Sequence, residues 1–155
     1  ALEQGASTIL TDAEGAKIAA EVLGDGHAAL VVTQDPRQAL AYAAALWFGA
    51  QPQTAVAITG TNGKTSVATF VRQIWEELGH AAVNLGTTGV EGAWSYPLAH
   101  TTPDPITLHR ALAKAVENGV THVAMEASSH GLDQRRLDGV HLNTGKFSKY
   151  IGNLR

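Results

Sequence analysis

The chain has 155 residues, 45% of them hydrophobic, a size and composition that suit one globular domain or one and a fraction. A net charge of -3 without a basic stripe or polybasic cluster argues against nucleic-acid and membrane-surface partners, and the absence of cysteine excludes disulfides, thiolate metal sites and cysteine nucleophiles. No apolar run approaches the roughly 20 residues that span a bilayer, and Ala1-Leu2-Glu3-Gln4-Gly5 has neither the basic nor the apolar region of a signal peptide. The expectation is a soluble, cytoplasmic chain cut from something longer.

In chain order, Ser7 to Leu10 is a short β-prone run, and Glu14 to Leu23 reads as helix. Leu30 to Thr33 is a second apolar run. Asp35-Pro36 then supplies an N-cap and a proline at the first helical position, which starts an alanine-rich helix that runs to Phe48 and stops at Gly49. Gln51-Pro52-Gln53 is the linker candidate, being polar and unable to continue a helix. Ala55 to Thr59 is apolar and β-branched, as expected of a strand buried on both faces. A glycine-rich turn and a helix over 65–78 follow, in which Val67, Phe70, Val71, Ile74 and Leu78 fall at spacings of three and four and so share one face. Ala81 to Leu85 reads as a strand, and residues 86–102 as a Gly- and Thr-rich loop with Trp94 and Tyr96 on a short hairpin. Asp104-Pro105 repeats the cap-and-proline start for a helix carrying Ile106, Leu108, Leu112 and Val116. Val120 to Met125 is the last buried-strand candidate. Strands alternating with helices predict an α/β fold with a mostly parallel sheet. Trp47, Phe48 and Trp75 are expected in the core.

The strongest chemical signal is Gly60-Thr61-Asn62-Gly63-Lys64-Thr65-Ser66, between a strand and a helix. A phosphate chain needs inward-turned backbone N–H groups, a cation that reaches its oxygens, and a hydroxyl for the metal. Gly60 and Gly63 permit the turn, the helix N-terminus adds positive charge, Lys64 reaches phosphate and Thr65 holds Mg²⁺. The full pattern wants a glycine where Ile58 stands, so the loop is a shortened variant. Glu126 is the second signal, since ligands of open parallel sheets bind outside the carboxyl ends of strands, and a carboxylate there suits Mg²⁺. Ser128, Ser129 and His130 lack the geometry of a nucleophile pair and suit polar ligand binding instead. Arg135 and Arg136 side by side offer either an anion grip or a solvated helix end. The remaining histidines show no metal-ligand spacing and are expected to be structural or on the surface.

Taken together, Thr59 to Ser66, Thr101-Thr102-Pro103-Asp104 and Met125-Glu126-Ala127-Ser128-Ser129-His130-Gly131-Leu132 resemble the Mur ligase family over roughly residues 1–142. The branch most resembled adds the third amino acid, usually meso-diaminopimelate, to UDP-N-acetylmuramoyl-L-alanyl-D-glutamate. There, ATP phosphorylates a carboxylate and an amine attacks the acyl phosphate. The resemblance implies that Gly60 to Ser66 bind ATP, that Lys64 and Glu126 act catalytically, and that Thr65 and Glu126 serve Mg²⁺. It also implies that Thr101, Thr102, Ser128, Gln134 and Arg136 hold the UDP-muramoyl peptide.

By the same resemblance, residues 1–50 are part of the N-terminal domain that receives the uridine nucleotide, 51–53 the linker, and 54–143 part of the ATP-binding central domain. Residues 144–155 form a divergent tail, Gly145-Lys146-Phe147-Ser148-Lys149-Tyr150 onward, without the family's metal-binding histidine or modified lysine. The expectation is a fragment unable to complete ligation alone. Two alternatives stay open: a stand-alone nucleotide-binding or hydrolysing protein, and a non-catalytic module that self-associates through an incomplete sheet.

Overall fold

The computed structural model describes residues 2–23 and 28–143; the expected divergent tail lies outside the described residues. They fall into two compact units that divide between Leu40 and Ala41, within one helix. In the first unit, β1 (Thr8–Thr11) and β2 (Ala29–Val32) pair in parallel, with α1 (Ala13–Leu23) between them in sequence. Asp12 starts α1 by accepting from Gly15 N at 2.8 Å. Helix α2 (Pro36–Phe48) starts in the same way, with Gln38 N donating to Asp35 Oδ1 at 3.0 Å.

The second unit is built on a four-stranded sheet of β3 (Thr54–Ile58), β4 (Ala82–Gly86), β5 (Gly89–Gly92) and β6 (His122–Glu126), in the order β3-β6-β4-β5. All neighbours are parallel except the β4–β5 hairpin. Strand β5 lies in the stretch expected to be loop. Its Val90 bridges to Tyr96, whose ring stacks on Trp94 at 5.2 Å and takes the Lys114 ammonium at 5.0 Å. The sequence hides β5 because two of its four residues are glycine; it forms because the tight turn after Gly86 folds it back onto β4.

Helix α4 (Pro105–Glu117) starts at Asp104, whose carboxylate accepts from Thr107 N at 3.0 Å, with Pro105 following as the first helical residue. Its Leu108, Leu112 and Ala115 pack in one core with Ala55, Val83, Leu85, Val90, Val123 and Met125, which alternate along their strands onto one sheet face. Full burial of each leucine contributes about 2 kcal/mol. Leu137 joins the same cluster and Leu132 of α5 (Ser129–Asp133) packs against it, so the chain leaving β6 stays on this face.

Helix α3 (Lys64–Glu77) lies against β4 and β6 and barely touches β3. Its sheet-facing residues are Ala68, Arg72 and Trp75. Ala68 is buried, Arg72 Nε donates to Asn84 Oδ1 at 2.7 Å, and the Trp75 ring meets His122 edge-on at 5.0 Å. Of the five apolar positions singled out by their spacing, Val67, Phe70, Ile74 and Leu78 are exposed, Phe70 by 60%, and Val71 is half-buried. The small Ala68 permits close approach to the sheet, and Arg72 stays on the inner side because Asn84 and Glu76 satisfy it. Val67, Phe70, Ile74 and Leu78 are thereby turned outward.

Trp47 is a second correction: it is 85% exposed rather than in the core. The inner side of this part of α2 is alanine, with Ala41 and Ala44 buried and Ala45 close against Gly139. Phe48 is half-buried beneath the Arg110 guanidinium, 5.6 Å from the ring centre. Of the linker candidate, Pro52 is buried, and the Gln51 amide donates to Gly139 O at 2.8 Å and accepts from His141 N at 3.0 Å. Among the described residues, no helix is long and apolar enough to cross a membrane.

Candidate functional site at the carboxyl ends of the strands

Five residues, Thr59 to Gly63, join β3 to α3. Gly60 and Gly63 have φ of 149° and 81°. No atom lies within 4 Å of a Cβ built on Gly63, so glycine is required there by backbone conformation rather than space; another L-residue in this left-handed conformation costs roughly 1–2 kcal/mol. Gly63 caps α3 without any side-chain hydrogen bond, and Val67 N is the first amide of the helix to find a backbone acceptor, Gly63 O at 2.9 Å. The amides of Lys64, Thr65 and Ser66 therefore stand at the positive end of the helix without intrahelical partners. Lys64 Nζ rests on the loop's own carbonyls, 2.6 Å from Gly60 O. Thr61, Asn62, Thr65 and Ser66 are exposed.

Glu126 ends the central strand β6 and is only 2% exposed. It stands opposite Ile58 in the parallel register, and Ala127 N donates to Ile58 O at 2.8 Å. The glycine loop and Glu126 thus leave adjacent strands at one level. On the other side of β6, Thr87 N donates to Glu126 Oε1 at 3.1 Å. Among the described residues no lysine or arginine pairs with this carboxylate. Buried carboxylates are ordinarily paired or coordinate a metal, so this one, at the same strand end as the glycine loop with its exposed Thr65 and the amides at the start of α3, fits Mg²⁺ and a phosphate chain.

Thr101, Thr102, Ser128, Gln134 and Arg136 come together around the same strand end. The Thr101 hydroxyl lies 3.0 Å from the Thr87 hydroxyl. Thr102 is buried and turned inward, donating to Glu126 O and accepting from Ser128 N, both at 3.0 Å. Ser128 caps α5, its Oγ accepting from Gly131 N at 3.0 Å. Arg136 is held by Thr102 O at 2.7 Å and by Gln134 Oε1 at 2.6 Å. The two arginines do not share a grip: Arg135 sits in a left-handed turn, φ 60°, and faces Asp138 at 3.9 Å. Among the described residues, no three His, Asp or Glu side chains gather to hold a metal. His109 is buried against Asp138 O at 3.2 Å, and His80 stacks on His122 at 4.1 Å.

Gly86 and Thr87 were not among the residues expected at the site from sequence. The available signal was their place directly after a predicted strand, at its carboxyl end, where ligands of parallel sheets gather.

A family model described as the Mur ligase middle domain matches residues 58–149. The UDP-N-acetylmuramoyl-L-alanyl-D-glutamate--2,6-diaminopimelate ligase of Agrobacterium fabrum (strain C58) is 53% identical over 152 residues, covering 89% of this chain and 31% of its own length. The ligase of the same name from Caulobacter vibrioides is 45% identical over 157 residues, covering 97% of this chain and 31% of its own. A solved structure of a ligase of that name superposes with a TM-score of 0.65 at 27% identity, covering 87% of this chain and 31% of that one. The chain spans about a third of the length of these relatives.

Proposed function

The chain belongs to the Mur ligase family, and from that premise we propose that residues 54–143 carry the ATP-phosphate site of a ligase for the peptidoglycan precursor. The reaction joins diaminopimelate to UDP-N-acetylmuramoyl-L-alanyl-D-glutamate in the cytoplasm. Residues 1–50 include part of the uridine-nucleotide unit, and 51–53 lead on into the ATP-phosphate unit. The observation that carries this reading is the pairing of Ile58 with Glu126, which puts the glycine loop and a buried carboxylate at one strand end.

In the proposed reaction, a carboxylate oxygen of the substrate attacks the γ-phosphorus of ATP, the bond to the bridging oxygen breaks, and ADP leaves. The amine then attacks the acyl phosphate, losing a proton as the C–N bond forms and inorganic phosphate departs. Amides at the start of α3 and the Lys64 ammonium, swung from Gly60 O, hold the phosphates. Mg²⁺, bound by Thr65 and Glu126, would neutralise charge developing on the phosphoryl oxygens. Thr101, Thr102, Ser128, Gln134 and Arg136 orient the UDP-muramoyl peptide, and Thr102, whose hydroxyl donates to Glu126 O and accepts from Ser128 N, also fixes that wall.

Isothermal titration with ATP and Mg²⁺, beside Lys64→Ala, tests the reading. Binding that is lost in the variant supports it, and absence of binding in both proteins would sink it. A second reading, self-association, is favoured by the exposed Val67, Phe70, Ile74 and Leu78 and by β3, which among the described residues pairs only with β6. Sedimentation velocity showing a monomer at high concentration would dismiss it.

A further inference from the structure

The backbone of Glu126 is fixed by the Thr102 hydroxyl, which donates to Glu126 O, and the residue that follows it, Ala127, is tied to β3 through Ala127 N on Ile58 O. The carboxylate itself is shaped by Gly86 and Thr87. A Cβ added at Gly86 would overlap Glu126 Oε1 and lie 2.6 Å from its Cδ and 2.8 Å from its Cγ. Gly86 is the last residue of β4 and lacks a positive φ, so space for the glutamate side chain, not backbone freedom, requires glycine here. One residue on, Thr87 N donates to Oε1.

Among the described residues, Oε2 has no hydrogen-bond partner, yet no fully buried side-chain oxygen lacks one. Oε2 is therefore the oxygen that reaches solvent. One carboxylate oxygen is pinned and the other is presented.

We propose that Gly86 and Thr87 are positioning residues that clamp Glu126 by one oxygen, so that its second oxygen faces a divalent cation with its orientation already fixed. The proposal deepens the reading of Glu126 as a Mg²⁺ ligand and rests on it. Fixing the ligand beforehand removes the rotamer freedom that a free glutamate would lose on binding a cation. The Thr87 hydroxyl, 3.0 Å from that of Thr101, ties the same clamp to the wall proposed to receive the second substrate.

Two measurements test the clamp. In the first, ATP is titrated into wild type and Gly86→Ala at graded Mg²⁺ concentrations and again in EDTA. The Mg²⁺ concentration needed for half-maximal ATP binding should rise about 10- to 100-fold in the variant, the range typical for lost support of a metal ligand. Metal-free ATP binding should stay equal, because the glycine loop and Lys64 are untouched. Adding Glu126→Asp to Gly86→Ala, which shortens the side chain by one methylene, should recover part of the Mg²⁺ response. In the second, amide hydrogen exchange at Thr87 is compared in wild type and Glu126→Ala without nucleotide or metal. Loss of the carboxylate acceptor should speed it about tenfold or more. An unchanged Mg²⁺ response in Gly86→Ala, or unchanged Thr87 exchange in Glu126→Ala, overturns the proposal. A wild-type chain that binds no ATP would instead count against the functional reading, and the exchange experiment would still decide the clamp.

Discussion

Ile58 and Glu126 face each other across the parallel register of β3 and β6, and the pairing is closed by Ala127 N on Ile58 O at 2.8 Å. Beyond this point the two chains part. From Ile58 the backbone turns through the glycine loop into α3 on one face of the sheet; from Glu126 it turns through Ser128 into α5, on the face covered by α4. Adjacent strands whose continuations leave to opposite faces open a crevice at their carboxyl ends, the usual place for a ligand in a parallel sheet.

The hydroxyl of Thr102 donates to one backbone group of this crevice and accepts from another. Thr102→Val keeps the volume but leaves Glu126 O and Ser128 N buried without that partner, so it should destabilise the chain by about 1–3 kcal/mol. Thr101→Val, at a hydroxyl that among the described residues meets only Thr87, should stay within about 0.5 kcal/mol. Urea unfolding of the two variants checks the contrast. Equal midpoints would mean that Thr102 is not the internal bridge.

Asp104 holds the start of α4 through Thr107 N. Asp104→Ala should cost about 1 kcal/mol, and Asp104→Asn, which keeps an accepting oxygen, much less. Thermal unfolding of both variants measures this. Matching losses in the two would show that the charge, rather than the cap hydrogen bond, matters.

Much of this architecture was legible because local signals and tertiary structure agree. The Asp35-Pro36 and Asp104-Pro105 starts correspond to α2 and α4, and the apolar runs near 55 and 120 correspond to β3 and β6. Legibility failed where a residue's role depends on what lies across from it. Gly86 looks like a turn glycine until the Glu126 side chain is seen to fill its Cβ position. Nothing in the sequence shows that the Thr102 hydroxyl bridges two backbone groups. On α3, spacing identifies an apolar face but not which way it turns; Asn84 decides that by drawing Arg72 inward.

That orientation predicts opposite responses on one helix. Phe70→Ser, on the exposed face, should change stability by no more than about 0.5 kcal/mol. Ala68→Leu, against the sheet, should overpack and cost about 1–3 kcal/mol. Denaturant midpoints decide, and the reverse order would place Phe70 in the core of the chain in solution.

Burial lowers the pKa of His109 below its ordinary 6.5; the Asp138 carbonyl opposes this and His141 adds to it. His122 is lowered in the same direction, by burial first and then by His80. Below about pH 6.5 the unfolded chain therefore binds more protons at these two positions than the folded chain does. Stability should be full above that pH and fall as acid carries the solution down toward the folded-state pKa values. Urea midpoints between about pH 8 and 5.5, above the range where carboxylates protonate, should trace the decline. His109→Gln, which keeps a donor for Asp138 O, should flatten the slope, and adding His122→Gln should remove most of what is left. A slope as steep in the double variant as in wild type would take both histidines out of the acid response.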